Sequence, residues 1–351
     1  MIRQVMMKTS FQDWTNHLLQ DYRIIAPVLI QGSYKFREIR TPEEVSLDYP
    51  STLLPPKKAL LPPREDLLRF DLAHQSVTPV YHSIPTVVLG VHTCDLHAMQ
   101  LMDRVFESGF QDPHYASQRK NLTLVSVECL QPCSQYAFCK DMETHVVPDK
   151  FDLHLTDIGE AYAIETGSEK GETLLKGFKE LSQPSAALQK RYERALSLKW
   201  SHFTYRLRPP QDELTSLFAL NYRSIIWQEL ADRCLSCGAC NIVCPTCFCF
   251  DVHDEIDLLF NAGMRYRTWD SCQISQFASV AGGHNFRPNR SERLRHRFFH
   301  KYKYLPDALN QEGCVGCGRC AEACLVGINP IEVINKLHQR RGVPAEENKR
   351  R

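Results

Sequence analysis

The sequence predicts an α+β chain of two domains: an N-terminal α/β domain, then a mostly helical, cysteine-rich domain. Three observations predict it. Of fifteen cysteines in 351 residues, Cys94, Cys129, Cys133 and Cys139 lie in the first half, eleven lie between Cys234 and Cys324, and residues 140–230 hold none. The first half carries a strand–helix–strand pattern. The second carries a succession of amphipathic segments with helical spacing. A chain of this length can bury two cores. We place the domains at 1–222 and 223–342, with a charged tail at 343–351.

In the N-terminal half, TVVLGVHT (86–93) is β-branched and apolar, the pattern of a buried strand. DLHAMQLMDRVF (95–106) follows, with Leu96, Met99, Met102, Val105 and Phe106 on one helical face, and Asp95 placed to cap it. LTLVSVE (122–128) is a second strand that ends at Cys129. Parallel strands in such a unit carry their functional loops at one edge. Cys94 and Cys129 each follow a strand directly, so they should converge there. LLPPKKALLPPRED (53–66), with two Pro-Pro pairs, should be extended and draped over a surface.

In the C-terminal half, QDELTSLFAL, YRSIIWQELADR, HDEIDLLFNAG, CQISQFASVAGG, RSERLRHRFFHKY and NPIEVINKLHQR read as helices. The bulk numbers exclude several function classes. A formal net charge of +1 gives no global field that would favour nucleic acid, a membrane surface or an acidic substrate. No apolar run approaches the roughly 20 residues needed to span a bilayer. MIRQVMMKTSFQDW offers no signal-peptide core. A cytoplasmic location is therefore expected, where thiols stay reduced. An odd count of cysteines in that setting points to ligation of soft metals and away from disulfides.

The chemistry is concentrated in CLSCGACNIVCPTCFC (234–249), in which six of sixteen residues are cysteine. Cys234, Cys237, Cys240 and Cys244 are spaced C-x2-C-x2-C-x3-C and followed by proline, and Cys314, Cys317, Cys320 and Cys324 repeat the spacing. Three cysteines two residues apart wrap one cubane. The fourth begins a helix that points away and reaches the other cluster. Cys234, Cys237, Cys240 and Cys324 should thus hold one [4Fe–4S] cluster, and Cys314, Cys317, Cys320 and Cys244 a second. Zinc favours paired C-x2-C knuckles and suits this spacing poorly. The long helical insert between the motifs resembles the α-helical ferredoxin module, a dicluster ferredoxin-like domain.

Seven cysteines remain. Cys94, Cys129, Cys133 and Cys139 suffice for a third cluster, or are small buried hydrophobes. Cys247, Cys249 and Cys272 are additional ligands, an incomplete site, or inert. RPNRSERLRHRFFHKYK (287–303) holds seven Lys/Arg and one Glu. The usual reading of such a stretch is a solvated helix face; the functional one is a cation belt tuning nearby clusters. His284, on a tight turn after two glycines, is a weak ligand candidate, and His92 and His97 read as structural. There is no G-x-G-x-x-G after a strand and no P-loop.

Several segments together resemble the β, iron–sulfur subunit of cytosolic NAD(P)-linked [NiFe] hydrogenases (sulfhydrogenases). Anaerobic sulfite reductase has a related iron–sulfur chain that shares much of the pattern. The carrying segments are FREI (36–39), PPKKALLPPRE (55–65), GVHTCDLHAMQLMD (90–103), CLSCGACNIVCPTCFC, TWDSCQ (268–273), VAGGHNFRP (280–288), RLRHRFFHK (293–301) and CVGCGRC (314–320). The resemblance implies a non-catalytic electron-transfer subunit in a heteromeric complex. It would relay electrons between a flavin, NAD(P)H-handling subunit and a metal-containing catalytic subunit of a hydrogenase or sulfite reductase. The family has C-F-C where this chain reads Ala137-Phe138-Cys139, and Cys133 could replace the missing thiol through a shifted loop. The rival reading is a catalytic reductase chain that acts on sulfite, polysulfide or a disulfide at Cys247, Cys249 and Cys272.

Overall fold

A computed structural model describes residues 4–81 and 84–340; the charged tail expected from 343 lies outside them. The strands are β1 Gln4–Met7, β2 Arg23–Ile30, β3 Ser33–Glu38, β4 Arg64–Asp71, β5 Ser76–Pro79, β6 Thr86–His92, β7 Leu122–Val127, β8 Leu153–Asp157, β9 Ala161–Thr166, β10 Leu181–Ser182, β11 Phe250–Ile256 and β12 Ala262–Trp269. With the helices between and after them, they make a mixed α and β chain, as the sequence predicts in outline.

The larger sheet has eight strands in the order β10-β1-β9-β8-β7-β6-β2-β3. Its centre is parallel: β2 pairs with β6, β6 with β7 and β7 with β8. The two inner strands β6 and β7 are buried along their whole length, which is why they read as continuous apolar runs. Their side chains feed two cores. Val87, Leu89, Val125 and Val127 meet Trp14 and Leu18 on one face. Val88, Val91, Leu122 and Leu124 meet Met99, Met102 and Phe106 of the helix Thr93–Glu107 on the other. Each such large side chain contributes about 1.5–3 kcal/mol on burial. A bulge at Gly90 (φ +83°), where a Cβ would press on Leu47 and Pro27 at 3.0 Å, shifts the register at the end of β6. The strand therefore hands the chain to Cys94 at the C-terminal edge of the sheet, the edge where Cys129 follows β7.

The smaller sheet runs β11-β12-β4-β5, all antiparallel. Residues 250–269 thus return from the cysteine-rich half and extend a sheet begun by residues 64–79. This corrects the helical reading of HDEIDLLFNAG. Its first residues lie in β11, and Asp257 accepts from the amides of Asn261 and Ala262 to turn the chain into β12. Leu258, Leu259 and Phe260 stand exposed at the hairpin tip, and Leu258 is 96 % accessible. CQISQFASVAGG likewise forms only a short 3-10 turn, Ser275–Ala278.

The remaining helical expectations are met at Leu214–Leu220, Ile226–Arg233, Arg290–Phe299 and Pro330–Gln339. They enclose an apolar cluster around Phe218, which stacks on Tyr302 with ring centroids 4.9 Å apart. Cys234 lies in the wall of that cluster, and Cys314 and Cys324 pack against it. Among the described residues no helix is long and apolar enough to cross a membrane.

Candidate metal centres

The two cysteine motifs fold as copies of each other. Each loop turns at a left-handed glycine, Gly238 (φ +78°) or Gly318 (φ +80°), and enters a four-residue helix, Ala239–Ile242 or Arg319–Glu322. Ser236 and Gly316 occupy matching left-handed positions. Their amides donate to Cys234 Sγ and Cys314 Sγ, each at 3.4 Å. A backbone N–H aimed at sulfur favours a thiolate, the form that binds iron.

The fourth cysteine of each motif lies with the other motif's triplet. One cavity is lined by Cys234, Cys237, Cys240 and Cys324, with Arg297 and Leu325 at its wall. A second is lined by Cys244, Cys314, Cys317 and Cys320, with Tyr302 and Lys301; Cys320 borders both. Among the described residues no three His, Cys, Asp or Glu side chains close to the spacing that grips a single ion. Four thiols, three from one loop and the fourth from the other, suit a cubane better than zinc. Burial, above all, pushes the thiols of Cys240 and Cys314 up, to about 12 and about 11. Thiols placed so deeply ionise readily only when a bound cation offsets the charge, so the donor set fits a cluster.

The basic stretch is divided: Arg290 is exposed and Arg287, Arg295 and Lys303 are half-buried, while three cations turn inward. Arg293, Arg297 and Lys301, four residues apart, all lie on one buried stripe, with 5, 6 and 4 % of their surfaces accessible. Arg297 Nε donates to Asn241 Oδ1 at 3.0 Å, and Lys301 Nζ to Thr246 Oγ1 at 2.6 Å. Thr246 Oγ1 is 3.3 Å from Cys244 Sγ. A single π-helical turn, His300–Tyr304, carries Lys301; such turns often mark functional sites. Lys57, from the double-proline segment, adds a fourth buried cation. It donates to the carbonyls of Cys244 (2.8 Å) and Cys247 (2.7 Å) and lies over the Trp269 ring at 4.4 Å. That segment is therefore not merely draped: Pro56–Ala59 form a 3-10 turn that drives Lys57 inward.

The N-terminal thiols gather against the second motif. Burial, with the neighbouring Cys133, pushes Cys129 up to about 12, and burial, with Cys129 and Cys133 beside it, raises Cys139. Cys94 shares a small apolar cluster with Ala98, Val315 and Cys317. The loop 129–139 is tied to the motif: Phe138 N donates to Gly316 O at 2.7 Å, and a Cβ on Gly318 would strike the Tyr136 carbonyl carbon at 2.7 Å. Asp95 is not the helix cap. It makes a buried bidentate pair with Arg319, at 2.7 and 2.8 Å, while Arg319 Nε donates to Thr52 O. Cys129 and Cys133 also line a cavity of about 350 Å³ at the sheet edge.

Cys247, Cys249 and Cys272 form the flank of this assembly. Cys247 touches Cys244, and the anion of that pair settles on Cys244, to which the Cys247 thiol donates and which Lys301 and Lys57 face. Cys249 touches Cys272. The Cys249 thiol, and after it Asn241 and Gln273, hydrogen-bond to Cys272 and bring it down to about 6 in spite of burial. Asn241 Nδ2 to Cys272 Sγ is 2.9 Å. His284 lies on an exposed turn against Phe286. His92 is buried and stacked on Tyr49, and His97 bonds Val146 O. Lys57, Asn241 and the Asp95–Arg319 pair carry no sequence signal of their own; only their proximity to cysteines in the folded chain reveals them.

Residues 233–328 match the 4Fe-4S dicluster domain family. Over 344 residues, 94 % of this chain and 96 % of the relative, the sequence is 34 % identical to sulfhydrogenase 2 subunit beta of Pyrococcus furiosus. The chain belongs to the sulfhydrogenase β-subunit family. As a β-type chain with a dicluster domain it is an iron–sulfur electron-transfer protein of the [4Fe–4S] type. No solved structure matches it.

Proposed function

We propose that this chain relays electrons inside a cytoplasmic, heteromeric hydrogenase-type complex, between a flavin subunit that handles NAD(P)H and a metal-containing catalytic subunit. Cys234, Cys237, Cys240 and Cys324 hold one [4Fe–4S] cluster, and Cys314, Cys317, Cys320 and Cys244 a second. Cys94, Cys129, Cys133 and Cys139 hold a third, with Cys133 in place of the thiol lost at Ala137. Bound clusters supply one-electron steps. The chain's own residues fix the thiolates, exclude water and set the local charge. Arg297 lies between the two quartets, and its neighbours include Cys240, Cys320, Cys247 and Cys244, so it favours the reduced state of both.

The observation that carries this reading is the exchange of the fourth cysteines between the two cavities. Cys324→Ser should alter the EPR signal and potential of the cluster held by Cys234, Cys237 and Cys240, and leave the Cys314–Cys320 cluster nearly unchanged. The opposite result would overturn the exchange. Iron near eight atoms per chain supports two clusters and near twelve supports three; zinc with little iron overturns the reading altogether.

A further inference from the structure

Cys249 and Cys272 stand apart from the three quartets, at the neck of the β11–β12 hairpin. Cys249 immediately precedes β11, and Cys272 follows β12 by three residues. The neck is closed by Asp270 N donating to Cys249 O at 3.0 Å, continuing the ladder that pairs Phe250 with Trp269. The two thiols are near neighbours across that neck. Cys249 is half-buried and Cys272 buried. Neither lines the cavities that hold the two dicluster quartets. Behind Cys272 stands Asn241, which donates to its sulfur, while the Asn241 oxygen accepts from Arg297 and lies 3.6 Å from Cys240 Sγ.

We propose that Cys249 and Cys272 are a reversible dithiol–disulfide site whose substrate class is a small organic disulfide. With its proton passed to the leaving sulfur, the Cys249 sulfur attacks the disulfide RSSR, forming a mixed disulfide and releasing one RSH. The Cys272 sulfur then attacks the Cys249 sulfur and releases the second RSH. In sum, two cysteine thiols and RSSR give the Cys249–Cys272 disulfide and two RSH, with each leaving thiolate taking the proton given up by a cysteine. Two electrons pass to RSSR and no other oxidant enters. The bond would pin the hairpin neck and change the sulfur to which Asn241 donates. Through Asn241 the redox state of this pair reaches Arg297 and Cys240, making it a positioning device for the cluster pair. This last step rests on the ligand assignment of the preceding section.

The test is a titration of the complete complex with mixtures of reduced and oxidised dithiothreitol under anaerobic conditions. Thiols are trapped in denaturant and the disulfide is located by peptide mass mapping, with iron counted on the same samples. The wild type should lose two alkylatable thiols with one midpoint, mapping to Cys249–Cys272. Cys249→Ser and Cys272→Ser should each abolish that loss and keep the wild-type iron content, and Cys247→Ser should leave it intact. The proposal is overturned if both thiols stay alkylatable throughout, if the bond maps to another pair, or if either variant loses about four iron atoms per chain, the content of one [4Fe–4S] cluster. A wild type lacking iron from the start would instead sink the electron-relay reading, so the two failures are distinguishable.

Discussion

Lys301→Met tests whether the buried cations set the potential of the second cluster. Met keeps most of the stem and removes the ammonium. The chain Lys301 Nζ to Thr246 Oγ1 to Cys244 Sγ, with contacts of 2.6 and 3.3 Å, places the charge within about 6 Å of Cys244 Sγ, and a cluster held by that sulfur would have its centre about 8 Å from the charge. At an effective dielectric near 20, a unit charge at that distance is worth about 2 kcal/mol. For a one-electron couple this is a shift of about 90 mV. Reduction adds negative charge, which the ammonium favours, so its loss should lower the potential. The measurement is an EPR-monitored redox titration of the complete complex, with Lys303→Met as the control. Lys303 is paired with Asp307 in a partly exposed i,i+4 contact, and that partner and screening should hold its effect below about 20 mV. Thr246 keeps its bond to Gly313 O in the variant, so the loop has no reason to collapse. A shift of less than about 30 mV in Lys301→Met, or an upward one, would refute the argument.

Asp95→Asn leaves Arg319 buried without its anion and should cost about 3–5 kcal/mol, read as a fall in thermal stability; the double replacement of Asp95 and Arg319 by Leu should recover much of it. Gly318→Ala forces a left-handed residue into the Tyr136–Ala137 backbone and should lower iron per chain, whereas Gly327→Ala, left-handed but facing open space, should cost only about 1–2 kcal/mol and keep the iron. Burial, then Lys199 and Lys140, hold the His145 imidazole down, to about 4. A base whose folded pKa lies below its unfolded value of 6.5 contributes stability that is present above pH 6.5 and lost as pH falls toward 4. His145→Phe should therefore shrink the drop in melting temperature between pH 7 and pH 4.5; an unchanged drop would show that the imidazole is not buried neutral.

The sequence made the strand–helix–strand unit and the dicluster spacing legible because both are local. Period, β-branching and C-x2-C-x2-C-x3-C are written over a few adjacent residues. The hairpin was not legible. Ile256, Leu258 and Leu259 mimic a helical face, and only pairing of β12 with β4, some 200 residues earlier, overrides that local preference. Asp95 failed for the same reason. Next to a helix start an aspartate reads as a cap, and the guanidinium that claims it comes from Arg319. The basic helix was ambiguous in sequence because seven cations look alike in a string. Spacing of four residues separates Arg293, Arg297 and Lys301 from the rest, but only once an acceptor for their charge lies on that side.

The order of the thiol groups in space bears on how a relay would work. Cys320 borders both dicluster cavities, and Cys317 packs with Cys94, so the proposed third quartet adjoins the second. At one end Cys237 is exposed, with Leu235 and Leu325 presenting 57 and 84 % of their surfaces beside it. At the other, Cys129 and Cys133 open onto the cavity at the sheet edge. The middle is flanked by buried Arg297 and Lys301 and by the buried Asp95–Arg319 pair. Thiol groups that open at two separate places can exchange electrons with two different surfaces. Lys57 and Lys301 both face Cys244, so if the proposed clusters are bound, the highest potential should lie with the one held by Cys244, Cys314, Cys317 and Cys320.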